Sequence, residues 1–260
     1  MIQSIERAML VINILAKHPK RFFTVQEIFN ETDLPTSTIY RLLYTLESFD
    51  LVERNENKKE FRLGYTWLQL GMKMYHETDI REKAHPLLEN LAYNVRETIY
   101  LSIAKQFASI IIDRIDSPKN VRIIDMIGEK IPYPIGAPNK VLLAFSKSDV
   151  QQQFFQQLEE PEKEKLIESL NDVREKGIAI SVGEKTKGTV SIAAPIFDSN
   201  KQIIAAISAE CFEYDTDAEK LENITQEVIK TAQQLSYELG YIYKLFPSIK
   251  NHLVSKNSGH

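Results

Sequence analysis

Ser37, Tyr40, Arg41, Tyr44, Thr45 and Ser48 recur at intervals that place them on one side of an α-helix, opposite Ile39, Leu42, Leu43, Leu46 and Phe49. The polar side holds hydroxyls and one guanidinium, with no carboxylate. Such a surface suits a polyanion. Thr36, Ser37 and Thr38 in the first turn let the backbone N–H groups approach phosphate, where the helix dipole also favours negative charge. Arg41 has the fork that matches the N7 and O6 of guanine, while Ser37, Thr38, Tyr40 and Tyr44 suit phosphates or base edges. An ordinary solvated helix has the same pattern, so the flanking residues decide.

Thr24-Val25-Gln26-Glu27 has the spacing of a capping box and opens a short helix carrying Val25, Ile28 and Phe29. Asn30–Asp33 supplies a turn, and Pro35 suits the start of the next helix because its missing N–H would be unpaired there. Leu51–Arg54 and Phe61–Leu63 read as a β-hairpin with Lys58 and Lys59 at a basic tip that reaches flanking phosphates. Ile5, Met9, Ile12 and Leu15 form an earlier amphipathic helix that closes the core beneath. Helix, helix-turn-helix, hairpin is the order of a winged helix-turn-helix.

The chain has 260 residues, enough for two compact domains, with hydrophobic and charged fractions of 43% and 26% that are ordinary for a globular protein. The net charge of −4 is unevenly spread: residues 1–75 carry ten basic against nine acidic side chains, so the acidic excess lies beyond them. A single cysteine, Cys211, excludes an internal disulfide and a multi-cysteine zinc cluster, which fits a reducing cytoplasm. No run approaches the length of a membrane span and no signal pattern opens the chain, so neither membrane nor export is expected. No metal site and no cofactor is expected.

The remaining chain reads as a mixed α/β domain. Thr98–Ala104, Ala108–Ile115 and Val121–Ile127 are β-rich and predict an antiparallel meander. Pro132, Pro134 and Gly136-Ala137-Pro138 break the chain before a helix over 139–145. Helices over 149–158 and 161–176 follow, then strands over 190–197 and 202–212, and a long helix from Ala218 to about Tyr243. In the last strand Ser208 and Glu210 project to one face and Cys211 to the other, so the polar pair lines whatever the sheet covers. Alternatively, Ser208 bonds to nearby backbone and Glu210 faces solvent. Helical runs before Tyr75 and from Ile80 to Val95 join the halves.

With these residues in view, the chain resembles the IclR family of bacterial transcription regulators. Ser4–Ala8, Leu34–Leu43 and Phe61-Arg62-Leu63-Gly64 are similar to its winged-helix pattern; Gly177, Ser181, Glu184, Ser191, Ile192, Ala193, Ile196, Phe197 and Asp198 have the spacing of its effector-domain signature. The resemblance implies an α+β protein: a winged helix-turn-helix over 1–64, a helical linker over 65–80, a GAF-like effector-binding domain over 81–247, and a disordered tail over 248–260. It also implies homodimers, often paired as a dimer of dimers. By the same resemblance Gly136 and Ala137 present backbone N–H groups to an effector, and Ser181, Ser191, Ser208 and Glu210 line its pocket. Tyr133-Pro134-Ile135 departs from the His-containing family pattern before that loop. A carboxylate at Glu210 opposes an anionic effector unless it is protonated or paired, because burying a second negative charge costs several kcal/mol.

These readings converge on a regulator whose partners are an operator duplex and a small-molecule metabolite. An enzyme with an appended winged domain is disfavoured, because His18, His76, His85, His252 and His260 fall outside the second half's strands, and no phosphate loop or nucleophile elbow appears. A third reading has the winged domain binding protein.

Overall fold

The computed structural model describes residues 2–241 except 56, 58, 77 and 78, and not the side chains of residues 74–76 and 79. Two compact units result, Met1–Thr78 and Asp79–His260.

The first unit is built from α1 (Gln3–Ala16), β1 (Phe23–Thr24), α2 (Val25–Thr32), α3 (Thr36–Glu47), β2 (Val52–Asn55), β3 (Glu60–Leu63) and α4 (Thr66–His76). The capping box forms: the Thr24 hydroxyl accepts the Glu27 N–H at 3.2 Å, and the Glu27 carboxylate accepts the Thr24 N–H at 2.8 Å. Asp33, in the left-handed region at φ 54°, ends α2 and turns the chain toward Pro35. Leu15, Ile28, Ile39, Leu43 and Phe61 meet in one core. The strands pair antiparallel in the order β1-β3-β2, with Phe61 opposite Phe23 and Arg54. Behind the wing, a Cβ on Gly64 would lie 2.1 Å from the Asp50 carbonyl oxygen, and the Trp67 indole N–H donates to the Leu51 carbonyl at 2.8 Å.

Three expected core positions differ. Ile5 and Met9 are exposed because the buried residues of α1 are confined to Val11–Leu15, so its first turns lie beyond the small core. Phe49 is 67% exposed because α3 ends at Glu47 and the backbone has left the helical path.

The second unit comprises α5 (Asp79–Val95), β4 (Thr98–Ala104), β5 (Ala108–Ile115), β6 (Lys130–Pro132), α6 (Ala137–Ala144), α7 (Ser148–Phe155), α8 (Glu162–Lys176), β7 (Ala179–Val182), β8 (Thr189–Phe197), β9 (Ile203–Phe212) and α9 (Ala218–Glu238). The strands form one antiparallel sheet in the order β6-β5-β4-β9-β8-β7. Leu88 and Leu91 of α5 and Val228 and Leu235 of α9 pack with Ile99, Ile192 and Ile207 from one face of the sheet. Val141 and Leu142 of α6 and Leu170 of α8 pack with Ala193 and Ala206 from the other.

Val121–Ile127 is not a strand. Its polar backbone is satisfied by side chains in place of a ladder: the Tyr100 hydroxyl donates to the Ile123 carbonyl at 3.1 Å and accepts the Asp125 N–H at 2.8 Å. Arg114 holds the Asp125 carbonyl at 2.8 Å. Two short edge strands, β6 and β7, were not foreseen; Pro132 sits in the first, where an edge tolerates a missing donor. Pro86 lies inside α5. No helix among the described residues is long and apolar enough to cross a membrane. The expected tail over 248–260 lies outside the described residues.

Candidate functional site

In the first unit, α3 buries Ile39, Leu43 and Leu46 and turns Thr36, Ser37, Arg41, Tyr44, Thr45 and Ser48 outward, with Thr38 and Tyr40 half-buried. Its N-cap residue is Pro35, which offers no side-chain acceptor, so the first-turn N–H groups of Thr36 and Ser37 have no side-chain cap among the described residues. Arg41 forms no ion pair with a described residue, whereas Lys17 pairs with Glu31 and Arg21 with Glu27. Tyr44 is clamped between helix and wing: Tyr40 stacks on it at 6.0 Å, Phe61 meets it edge-on at 6.3 Å, and the Arg54 guanidinium lies 5.2 Å from its ring centre. Arg62 and Glu53 make a bidentate pair across the wing. Lys59 is exposed at the hairpin tip; Lys58 lies outside the described residues.

In the second unit, antiparallel register sets Ser181, Ser191 and Glu210 side by side across β7, β8 and β9, and sets Ser208 opposite Tyr100. These residues and Gly136 line one cavity, as Ser102, Ser109, Asp125 and Asn139 do from the adjoining elements. The cavity is small, with a volume of about 30 Å³. Gly136, at φ 83°, is the N-cap of α6, and this left-handed backbone aims its N–H at the cavity rim. Ala137 is buried behind it in the core.

The Ser191 hydroxyl donates to Glu210. Burial pushes the Glu210 carboxyl up to about 8; that hydrogen bond lowers it, Asp125 raises it and Lys185 lowers it by smaller amounts. Near neutrality Glu210 therefore carries a proton and adds no charge to the cavity. Lys185 binds Asp125 at 2.7 Å and Glu129 at 2.8 Å. Burial opposes its charge, but those hydrogen bonds win and raise its ammonium above the ordinary range. Glu184 accepts the Gly136 N–H at 3.0 Å and pairs with Lys140. Burial also raises the Tyr100 phenol, keeping it a neutral hydroxyl.

Sequence reasoning missed Tyr100, Ser102, Asp125, Asn139 and Lys185. Alternation along Thr98–Ala104 would have put Tyr100 and Ser102 on one face; Asp125 and Lys185 sit in irregular backbone with no local signature. Among the described residues, no group of three or more His, Cys, Asp or Glu side chains could hold a metal ion.

The IclR helix-turn-helix domain family matches residues 4–56, and the bacterial transcriptional regulator IclR C-terminal family matches residues 72–237. Among curated proteins, the chain is 26% identical over 247 residues to the HTH-type transcriptional regulator KipR of Bacillus subtilis strain 168, covering 92% of this chain and 98% of that protein. It is likewise 26% identical over 247 residues to the regulator KdgR of Escherichia coli strain K12, covering 92% and 94%. The solved IclR transcriptional regulator from Alicyclobacillus acidocaldarius shares the fold, with a TM-score of 0.76 at 24% identity over 91% of this chain and 98% of that one. An IclR homolog from Microbacterium hydrocarbonoxydans, solved in complex with 4-hydroxybenzoate, has a TM-score of 0.76 at 20% identity, covering 91% and 98%. With both halves matched in order and most of the chain covered, the protein belongs to the IclR family of bacterial transcriptional regulators.

Proposed function

We propose that the chain binds an operator through α3 and that a metabolite in the cavity beneath the β7-β8-β9 strands sets how tightly it does so. The observation that carries this reading is the outward face of α3, where Arg41 stands exposed and, among the described residues, without an ion pair, next to first-turn backbone N–H groups that lack a side-chain cap. Arg41 reads a guanine edge; Thr36, Ser37, Thr38, Tyr40 and Tyr44 position the helix on phosphates or base edges; Lys58 and Lys59 hold the flanking backbone. Residues 1–64 are the DNA-binding domain and 81–247 the effector domain, with 65–80 between them in sequence.

The chain works as a homodimer in the cytoplasm, with two α3 helices in successive major grooves about 34 Å apart. Support comes from apolar side chains left exposed in the first unit: Ile2, Ile5, Met9 and Leu10 on or beside α1, and Leu68, Leu70 and Met72 on α4. A partner copy that covers them removes an aggregation liability. Paired dimers fit the same scheme. The effector biases operator affinity only by its difference in affinity for the two arrangements of the dimer.

A gel-shift salt titration with operator and scrambled duplex tests the reading. Arg41→Ala is expected to weaken operator binding and relax sequence preference, and Lys59→Ala to weaken both duplexes alike. Parent-like behaviour of both variants would refute these assignments.

A further inference from the structure

The cavity's lining residues Glu184, Lys185 and Asp125 each already have a charged partner. Glu184 spans from the Gly136 N–H, at 3.0 Å, to the Lys140 ammonium, so the N-terminus of α6, a natural seat for an anion, already holds a carboxylate of this chain. Its neighbour Lys185 is divided between Asp125 and Glu129 at 2.7 and 2.8 Å. Among the described lining residues an acidic ligand therefore meets no uncommitted cation, and an ammonium ligand meets Glu184 and Asp125 already paired.

What is uncommitted is neutral and polar. The Ser109 hydroxyl, the Ser208 hydroxyl and the Asn139 Oδ1 line the cavity, are almost wholly buried, and have no hydrogen-bond partner among the described residues. Leaving such groups unpaired is costly unless a guest satisfies them. Asn139 is decisive, because its amide nitrogen donates to the carbonyls of Ile131, Pro132 and Ile135 at 3.1, 3.0 and 2.8 Å. That fixes the amide, so the Oδ1 can only accept. A carboxylate has no hydrogen to give it. A hydroxyl gives one to Asn139 and can give or take one at each serine.

We propose that this cavity selects an uncharged, hydroxyl-bearing effector, a small polyol or sugar, because Glu184 already occupies the N-terminus of α6, the free Asn139 Oδ1 demands a donor, and the two free serines accept a hydroxyl as readily as they donate to one. The proposal rests on the reading of this cavity as the effector site.

The test uses the full chain and matched probes: glycerol with glycerate, erythritol with erythronate, xylitol with xylonate, each titrated by calorimetry and by thermal shift. The parent is expected to bind no acid more tightly than the matching polyol. Glu184→Ala exposes the Gly136 N–H and the Lys140 ammonium and should bind at least one of the acids about tenfold or more tightly than the parent does. An acid that binds the parent better than its polyol overturns the proposal, as does a Glu184→Ala chain with unchanged affinity for all three acids. If the alanine variant fails to fold, Glu184→Gln, which keeps the shape and drops the charge, is held to the same comparison. Gel shifts run alongside separate the two claims: a polyol that binds but leaves operator affinity unchanged sinks the regulatory reading and leaves this selectivity intact.

Discussion

Ser191 and Glu210 face each other directly across the β8–β9 ladder, and the serine hydroxyl is spent on the carboxyl group. Burial nevertheless dominates, so the folded chain holds a proton up to about pH 8 that an unfolded chain releases near the ordinary value of 4.5. Between those limits the folded state binds more protons, and stability must fall as pH rises, by at most about 1.4 kcal/mol per pH unit. Glu210→Gln removes the dependence. Unfolding of the C-terminal unit at about pH 5 and about pH 8 should show the variant gaining on the parent at the higher value. An equal difference at both would show that Glu210 is ionised throughout.

On the proposed DNA-binding face of α3, Arg41→Ala should cost about 1–3 kcal/mol of operator affinity and little on scrambled duplex. Lys59→Ala should reduce the slope of log affinity against log salt by about one on any sequence. Fluorescence anisotropy across a salt series separates the two signatures.

Thr24→Ala deletes one half of the reciprocal pair that opens α2. The Thr24 backbone N–H, then its hydroxyl, hold the Glu27 carboxyl below the ordinary range. The first unit should lose about 1 kcal/mol in a denaturant melt. Retention of full stability would mean that solvent caps the helix equally well.

Gly64→Ala drives a methyl group into the Asp50 carbonyl, which is backbone and cannot swing aside. Forced overpacking of this kind costs about 1–3 kcal/mol, and here it also displaces the wing from the end of α3. Chemical denaturation should show the loss, and operator affinity should fall with it.

Much of the architecture was legible because it is written in local periodicity. The strands Thr98–Ala104 and Ala108–Ile115 have the bounds that their β-branched runs predict, and Thr24 and Glu27 form the capping box that their spacing requires. The cavity was partly legible for the same reason: Ser208 and Glu210 share a face by simple alternation. The pairings of Glu184 and Lys185 were not, because their partners Gly136, Lys140, Asp125 and Glu129 are distant in sequence. Val121–Ile127 misled because its apolar residues have strand-like composition, yet the Tyr100 hydroxyl and Arg114 supply the hydrogen bonds a ladder would have made. Ile5 and Met9 kept the helical period of a core face while lying outside the core.

Trp67 is the sole tryptophan of the chain, and its indole N–H is anchored on the Leu51 carbonyl at the root of the wing. Its light emission thus belongs entirely to the DNA-side unit, while the cavity lies in the other. A change in that emission on adding a candidate effector would register in the first unit without a dye or an added label.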